Sequence, residues 1–350
     1  MIKLTFRGSL FSYGLLFLIL IWPYWAGEDV IAPHRNFSEL SIVDQTGVKQ
    51  IENRKFGDFS SSFIPETSEH LNGVRSGLLT LWVNKNELGR PAYHSAGFSP
   101  AYITAWLISK VTDNPWRFLT ILSLSTSFLA GLFILLFARE IGLGALAGLI
   151  ASTVMATSPL FMYWLTFPMF PAVLSWAAGA LWAVTRLAKR HDILSWSILA
   201  FSSYSLLMTA NPQGIVYQFY ILGGYGLWLT YSQSRVSRHT LFKFLALTSS
   251  AIVVGAIFAF PVYRDLSIIY SESARVTPDI SFFMSTLPKF TSFTELVRFF
   301  VLSTVPEIFG NPIAPSFPFT YNGLSVTLFV IFFAIVALLT SFKKTWGWWL

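Results

Sequence analysis

Asp58 is the carboxylate of this chain whose surroundings best suit acid–base chemistry. It lies between apolar residues in the segment Phe56-Gly57-Asp58-Phe59. A carboxylate held near low-dielectric material has a raised pKa and can act as a base toward an incoming hydroxyl group. The other interpretation is a solvated loop aspartate beside a turn glycine, and one residue alone does not separate the two.

Two further segments carry groups that could bind a sugar or a phosphate. Asn211-Pro212-Gln213 offers two neutral amides, which can hold hydroxyl groups without a charge cost. Asn-Pro is also an ordinary pair for starting a turn. Arg275 could bind a phosphate through two parallel hydrogen bonds, whereas an exposed arginine is normally just solvated.

Several kinds of site are missing from the sequence. The chain has no cysteine, which excludes disulfides, iron–sulfur clusters, thiolate zinc sites and cysteine nucleophiles. It has no phosphate-binding Walker loop and no dinucleotide-binding glycine pattern, and its five histidines lack metal-ligand spacing. The sequence therefore predicts no cofactor and leaves a divalent-metal requirement open.

The composition indicates the elements that must position these groups. Of 350 residues, 54% are hydrophobic and only 12% are charged, whereas soluble domains carry about 25% charged residues. Aromatic residues reach 17%, which suits a chain with apolar spans anchored at a wet boundary. We therefore expect an all-α polytopic membrane protein.

Eight apolar runs are long enough to be membrane spans, since about 20 helical residues cross a hydrocarbon core. They are residues 10–26, 118–138, 143–163, 169–187, 193–210, 213–231, 244–262 and 322–341. Away from their ends, these runs contain no Asp, Glu, Lys, Arg or His. Transporters usually hold a coupling ion on such a group near the midplane, so transport is disfavoured.

The short loops between the runs set the expected orientation. With Met1 inside, the inner segments hold eleven of the 24 basic residues and two of the 17 acidic ones. Basic residues near span ends are retained in the cytoplasm. The net charge of +7 is therefore explained by membrane topology, and a nucleic-acid partner is not expected.

Five regions follow from these spans. Residues 1–26 are the first anchor, 27–116 a long outer loop, 117–262 a six-span bundle, 263–321 a second outer loop, and 322–350 the last span with its cytoplasmic tail. In the first loop, residues 63–83 and 99–111 carry apolar side chains at helical spacing. Both are predicted to be amphipathic helices lying in the membrane interface.

Prolines stand where the outward-going spans reach the outer boundary, at Pro23, Pro159, Pro212 and Pro261. Because proline removes a helical hydrogen bond and clashes with the preceding turn, each helix is predicted to stop or bend there. Several broken ends at one depth could wall a cavity at the outer face. Proline is equally a common stop signal near span ends.

A series of short segments occurs in the order found in one known family. They are Gly57-Asp58 with Phe63-Ile64-Pro65, Leu81-Trp82-Val83-Asn84, Gly89-Arg90-Pro91, Asn211-Pro212-Gln213 with Tyr217, Phe260-Pro261, Ser273-Ala274-Arg275, Pro306-Glu307-Ile308-Phe309-Gly310 and Tyr321-Asn322-Gly323. In this order they resemble the YfhO-like bacterial membrane proteins, a branch of the GT-C superfamily of glycosyltransferases.

The resemblance implies a GT-C-like helical bundle in a bacterial plasma membrane, with its active site on the outer face. It implies an inverting transferase that moves a sugar from a polyprenyl-phosphate carrier to a cell-envelope polymer or glycolipid acceptor. By the same resemblance, Asp58 would be the general base and Arg275, with Arg90, would bind the donor phosphate. The residues expected to contact the sugar or acceptor are Asn211, Gln213, Glu66 and Tyr321.

Two other functions are compatible with the same sequence. One is a flippase or transporter for the lipid-linked sugar, and the other is a non-catalytic accessory subunit. Asn211 stands where the family tends to carry histidine, and the chain ends soon after the eighth run, whereas family members continue with further spans. The chain is therefore expected to be either a fragment or a trimmed homologue that no longer catalyses.

Overall fold

The computed structural model describes residues 4–27, 29–31, 62–77, 82–83, 90–92, 97–271, 292–304 and 335–336. Within these ranges the only strands are β1 (Trp82–Val83) and β2 (Arg90–Pro91), which pair antiparallel. The helices are α1 (Phe6–Leu20), α2 (Trp22–Ala26), α3 (Ile64–Arg75), α4 (Ile103–Ile108), α5 (Pro115–Glu140), α6 (Ala145–Thr157), α7 (Pro159–Trp164), α8 (Met169–Arg190), α9 (Ile193–Leu207), α10 (Pro212–Ser234), α11 (Arg238–Ser271) and α12 (Phe293–Thr304). The predicted helical class is confirmed.

Within the described part of the chain, three helices are long and apolar enough to cross a membrane: α5, α8 and the part of α11 at Arg238–Ser267. Three shorter helices, α1, α6 and α9, are also apolar. These features are those of a helical membrane protein, as the composition predicted. Of the eighth predicted span, residues 322–341, only 335–336 lie within the described residues.

The long helices form one packed bundle. α5 packs along α8 and α6, α8 packs along α9, and α9 packs along α11. Glycines lie at two of these contacts: a Cβ on Gly179 would come within 2.8 Å of the Ser202 hydroxyl, and one on Gly255 within 2.6 Å of the Ala200 carbonyl oxygen. Small residues at helix contacts let membrane helices approach closely.

The two ends of the bundle are far apart, because α5 alone is about 39 Å long at 1.5 Å per residue. They also differ in the side chains that they carry. At the end that we call the basic end, Lys189 donates to the Glu140 carbonyl oxygen, and Arg186 lies 3.0 Å from Asp192. The opposite end, which we call the loop end, carries α3, α4 and the turn after α9. The sequence predicts that the basic end is cytoplasmic and the loop end external.

Helix boundaries follow three of the four prolines. Pro23 lies in the first turn of α2, Pro159 begins α7 directly after α6 has ended, and Pro212 begins α10. At Pro261 the helix was predicted to stop or bend, and it does not stop, because α11 continues to Ser271. Packing on both sides of Pro261 explains the difference: Ala259 and Val262 are buried, and the Tyr263 hydroxyl donates to the Leu207 carbonyl oxygen at 2.9 Å.

α3 differs from the predicted interfacial helix in both length and environment. It ends at Arg75, and Trp82–Val83 further along the predicted stretch is a strand. An amphipathic helix in the interface would turn its polar residues to water, but Glu66 and His70 are buried with Leu71. The error has a simple cause: residues 66 and 70 follow the same four-residue spacing as the apolar stripe, so periodicity alone does not show which side is covered.

α4 is short and fastened to the bundle. Its six residues span about 9 Å, too little to cross a bilayer, in agreement with the expectation that residues 99–111 do not span. Tyr102, at its start, is fully buried and accepts a hydrogen bond from the Trp176 indole of α8. The Tyr204 hydroxyl of α9 donates to the Ala101 carbonyl oxygen. Two long helices therefore hold α4 in place.

Candidate functional site at the loop end

α3 lies across the loop end of the bundle. Near its first residue, the Phe63 ring packs 5.3 Å from the Phe167 ring, just before α8. At its last residue, Arg75 forms an ion pair with Asp113, just before α5. The helix therefore bridges the starts of α5 and α8, two of the helices that are long and apolar enough to cross a membrane.

The buried face of α3 carries three polar side chains beside the apolar Leu71 and Val74. Glu66, Thr67 and His70 are 2%, 0% and 3% exposed. Glu66 and His70 stand four positions apart, so their side chains are neighbours on the helix surface. The His70 ring packs with its centroid 5.1 Å from that of Phe98 and 5.9 Å from that of Phe118. The imidazole thus lies in an apolar, water-poor environment, with a buried carboxyl group one helical turn away.

Burial determines the protonation of His70. Desolvation lowers the pKa of its imidazole from 6.5 to about 4, because a low-dielectric environment disfavours the charged form. The ring is therefore neutral near pH 7. Neither ring nitrogen has a hydrogen-bond partner in the described part of the chain. A neutral imidazole with free nitrogens can accept or donate a hydrogen bond or take up a proton.

The turn between α9 and α10 forms a second wall of the loop end. The Ser99 amide donates to the Met208 carbonyl oxygen at 2.9 Å, which joins the segment before α4 to this turn. Ala210 has φ 56°, a left-handed conformation that costs a non-glycine residue about 1 to 2 kcal/mol. Surrounding packing therefore holds this turn in a strained shape.

Asn211 caps α10. Its Oδ1 accepts a hydrogen bond from the Gly214 amide at 2.9 Å, as expected for an asparagine at the start of a helix. Its Nδ2 is buried and has no hydrogen-bond partner among the described residues. The helix cap uses the Oδ1 atom of Asn211 and leaves its Nδ2 atom available to donate a hydrogen bond.

The two amides of Asn211-Pro212-Gln213 are not brought together. Asn211 is buried, whereas Gln213 is exposed on α10 and donates from Nε2 to the Tyr217 hydroxyl at 2.7 Å. The expected pair of sugar-binding amides therefore reduces to one buried amide near the bundle and one exposed amide facing away from the core.

The other residues expected at the site are placed as follows. Glu66 is buried on α3, and Arg90 lies in β2, where it pairs in register with Val83. Asp58, Arg275 and Tyr321 lie outside the described residues.

A polar groove opens beside α3, where the ends of α4 and the start of α5 meet it. Its volume is about 760 Å³. Its lining includes three cationic side chains, those of Arg75, Lys110 and Arg117, and one acid, Asp113. We call it the basic groove. The Lys110 ammonium lies 4.9 Å from the ring centroid of Trp106, an exposed tryptophan on α4.

A second, apolar groove lies between α4, α9 and α11. It has a volume of about 310 Å³ and is lined by Ile103, Ala200, Phe201, Tyr204, Val254, Gly255 and Phe258. Its lining is mostly hydrocarbon and its position is on the flank of the bundle. The arrangement could hold part of a hydrocarbon chain.

Sequence reasoning missed two features of this region. One is the burial of His70, for which the apolar residues Leu71 and Val74 next to it were a usable sign. The basic groove was missed because Arg75 and Arg117 are 42 positions apart in the sequence. Only the packing of α3 against the start of α5 brings them together.

The described residues contain no group of three or more His, Cys, Asp or Glu side chains that could hold a metal ion. Comparison with known proteins finds no matching family model, no matching curated protein and no matching solved structure.

Proposed function

We propose that this chain is an inverting GT-C-type glycosyltransferase of a bacterial plasma membrane. It moves a sugar from a polyprenyl-phosphate carrier to a cell-envelope polymer or glycolipid on the outer side. Asp58 acts as the general base, and Arg275 with Arg90 stabilises the departing phosphate. The groups proposed to hold the sugar or acceptor are Asn211, Gln213, Glu66 and Tyr321.

The reaction follows from these roles. The acceptor hydroxyl gives its proton to the Asp58 carboxylate while its oxygen bonds to the anomeric carbon of the sugar. The bond from that carbon to the phosphate oxygen breaks, and its electron pair leaves with the polyprenyl phosphate. Pre-placed positive charge at the leaving phosphate is the largest expected contribution to rate.

The observation that carries this proposal is the set of polar side chains on the buried face of α3, with Glu66 and His70 at the loop end. Burying a polar group without a partner costs about 1 to 3 kcal/mol, and His70 has no hydrogen-bond partner within the described residues. A helix that only had to cover the bundle would carry apolar residues there. Buried titratable groups with perturbed pKa values favour a catalytic or binding role.

The two grooves add support of a different kind. A lipid-linked sugar phosphate needs a polar, cationic space for its head and an apolar surface for its chain. The loop end offers a basic groove of about 760 Å³ and the flank an apolar groove of about 310 Å³. Ile103 of α4 lines the apolar groove, and Lys110, just after α4, lines the basic groove. The same short segment therefore contributes to both grooves.

The test is a transfer assay on the purified full chain in detergent. The donors are polyprenyl phosphates carrying glucose, galactose, mannose or N-acetylglucosamine, and release of sugar to water or to an added acceptor is measured. We expect Asp58→Asn to abolish turnover and Glu66→Gln to lower it at least tenfold. The matched control is Glu69→Gln, one turn away on α3 and only partly buried, which should keep most of the activity.

Two outcomes would contradict the proposal. One is full turnover by Asp58→Asn, which would remove the general base. The other is movement of a labelled polyprenyl-phosphate sugar across proteoliposomes with no product formed by any donor, which would indicate a flippase.

A further inference from the structure

The basic groove supports the proposed function as a cationic space, but none of its lining residues is among those proposed to bind the donor phosphate, Arg275 and Arg90. Three cations converge on it from three elements: Arg75 from the end of α3, Lys110 from the segment after α4, and Arg117 from the first turn of α5. Their side chains are exposed, so they are accessible to a ligand from outside.

The charges in the groove do not cancel. Among the described lining residues the only acid is Asp113, which pairs with Arg75. Both partners of this pair are more than half exposed, and such surface pairs contribute little stability. One carboxylate against three cations leaves the groove with a net charge near +2, and Arg75 can exchange partners at small cost.

The polar groups of the groove suit an oxyanion. Two guanidinium groups can bind a phosphate through paired hydrogen bonds, and an ammonium adds a point charge. Ser109 and Thr112 add hydroxyl groups to the lining. The groove also lies at the N-terminal end of α5, where the helix dipole adds partial positive charge.

The size and position of the groove further limit the kinds of ligand that it could bind. A volume of about 760 Å³ is in the usual range for sites that hold small organic molecules, about 300 to 1,000 Å³, and is far more than one phosphate group needs. The groove stands at the end of a membrane-crossing helix, beside the exposed Trp106, and tryptophans of this kind mark the level of lipid headgroups.

We propose that the basic groove binds the phosphate group of a lipid phosphate ester, with Arg75, Lys110 and Arg117 as its ligands. The phosphate can come from a polyprenyl phosphate or from an anionic phospholipid headgroup. This inference depends on the groove and not on transferase activity, so an inactive Asp58→Asn protein should bind as the parent chain does.

The test is native mass spectrometry of the full chain in a maltoside detergent, which contains no phosphate. Polyprenyl monophosphate and phosphatidylglycerol are added separately, and inorganic phosphate is added as a competitor. We expect one tightly bound lipid per chain. Preference for polyprenyl phosphate would identify a carrier site. Equal binding of phosphatidylglycerol would identify a headgroup site. Displacement of the lipid by inorganic phosphate would show that the phosphate group itself is recognised.

Two variants are expected to change the affinity for lipid in opposite directions, so that a loss of binding can be told apart from a loss of folding. The triple variant Arg75→Gln, Lys110→Gln and Arg117→Gln should weaken binding at least tenfold. Asp113→Asn removes the competing carboxylate and should strengthen binding about threefold. The control is Arg235→Gln, which removes another exposed cation. Arg235 follows α10 and stacks on the ring of Tyr231, and its loss should leave lipid binding unchanged.

The inference is overturned if no phosphate lipid binds the parent chain. It is also overturned if Asp113→Asn and the triple variant both bind as the parent does, or if Arg235→Gln weakens binding as much as the triple variant does. The last result would show attraction by overall charge and no site.

Discussion

The properties of His70 depend both on its position in α3 and on residues from distant parts of the chain. Its place on α3 is readable from the sequence, but its environment depends on Phe98 and Phe118, which lie 28 and 48 positions further along the chain. Packing against these rings keeps the imidazole neutral. The consequence is a dependence of stability on pH that no local motif indicates.

We expect the folded protein to lose stability between pH 6.5 and pH 4. The pKa of His70 is about 4 when folded and 6.5 when unfolded, so in this range only the unfolded state takes up the proton. Acid therefore favours unfolding, by up to about 3 kcal/mol for this group, and the effect is absent above pH 7. Thermal unfolding in detergent at pH 7 and pH 4.5 measures it.

His70→Phe should reduce this pH dependence, since phenylalanine fits beside two aromatic rings and does not titrate. His239→Gln is the control, because His239 is exposed near the start of α11 and its loss should leave the dependence unchanged. An equal shift of the unfolding midpoint with pH in the parent and His70→Phe proteins would contradict the assignment.

At the scale of elements, helix ends were more predictable than helix surroundings. α5 begins where Asn114 caps its first turn and Pro115 follows, and α10 begins in the same way at Asn211 and Pro212. These are local signals. Pro261 failed as a stop signal because distant packing, including the hydrogen bond from Tyr263 to Leu207, stabilises the helix on both sides.

The contact between α9 and α11 should be sensitive to one methyl group. In Gly255→Ala the new Cβ would lie 2.6 Å from the Ala200 carbonyl oxygen and 2.9 Å from the Tyr204 nitrogen. Both are backbone atoms, so the helices must move apart, which should cost about 1 to 3 kcal/mol. Thermal unfolding of the purified protein measures the loss.

Gly223→Ala in α10 is the matched control, because nothing lies within 4 Å of the place that its new Cβ would take. There alanine should be neutral or stabilising by up to about 1 kcal/mol, since it favours the helix more than glycine does. If the two variants unfold at the same temperature, the close approach of α9 and α11 is not a determinant of stability.

At the scale of the whole molecule, hydropathy predicted that the chain is a helical membrane protein but not how its helices meet. Helices that are apolar on most sides give no strong sign of which face is buried, so the pairing of α5 with α8 and of α9 with α11 was not predictable. For the same reason the basic groove, which exists only where three elements meet, was not foreseen. Of the expected site, Glu66 and Asn211 lie buried at the loop end, while Gln213 does not join them.

The orientation of the bundle can be tested directly, because the chain has no cysteine of its own. Ser76→Cys places a thiol at the loop end, beside α3, and Ser237→Cys places one at the basic end, before α11; both serines are exposed. We expect a membrane-impermeant maleimide to label Ser76→Cys on intact cells and Ser237→Cys only after the membrane is opened. The reverse pattern would place the loop end in the cytoplasm and contradict an external active site.

The uninterrupted course of α11 past Pro261 makes this protein responsive to bilayer thickness. Its 34 residues extend about 51 Å, well beyond a hydrocarbon core of about 30 Å. Arg238 and Lys243 at one end, and Arg264 and Asp265 near the other, favour water, which leaves about 20 residues, or about 30 Å, of apolar helix between them. Lipids with shorter acyl chains are therefore expected to tilt this helix, and the bond between Tyr263 and Leu207 would carry that tilt to the turn beside the candidate site.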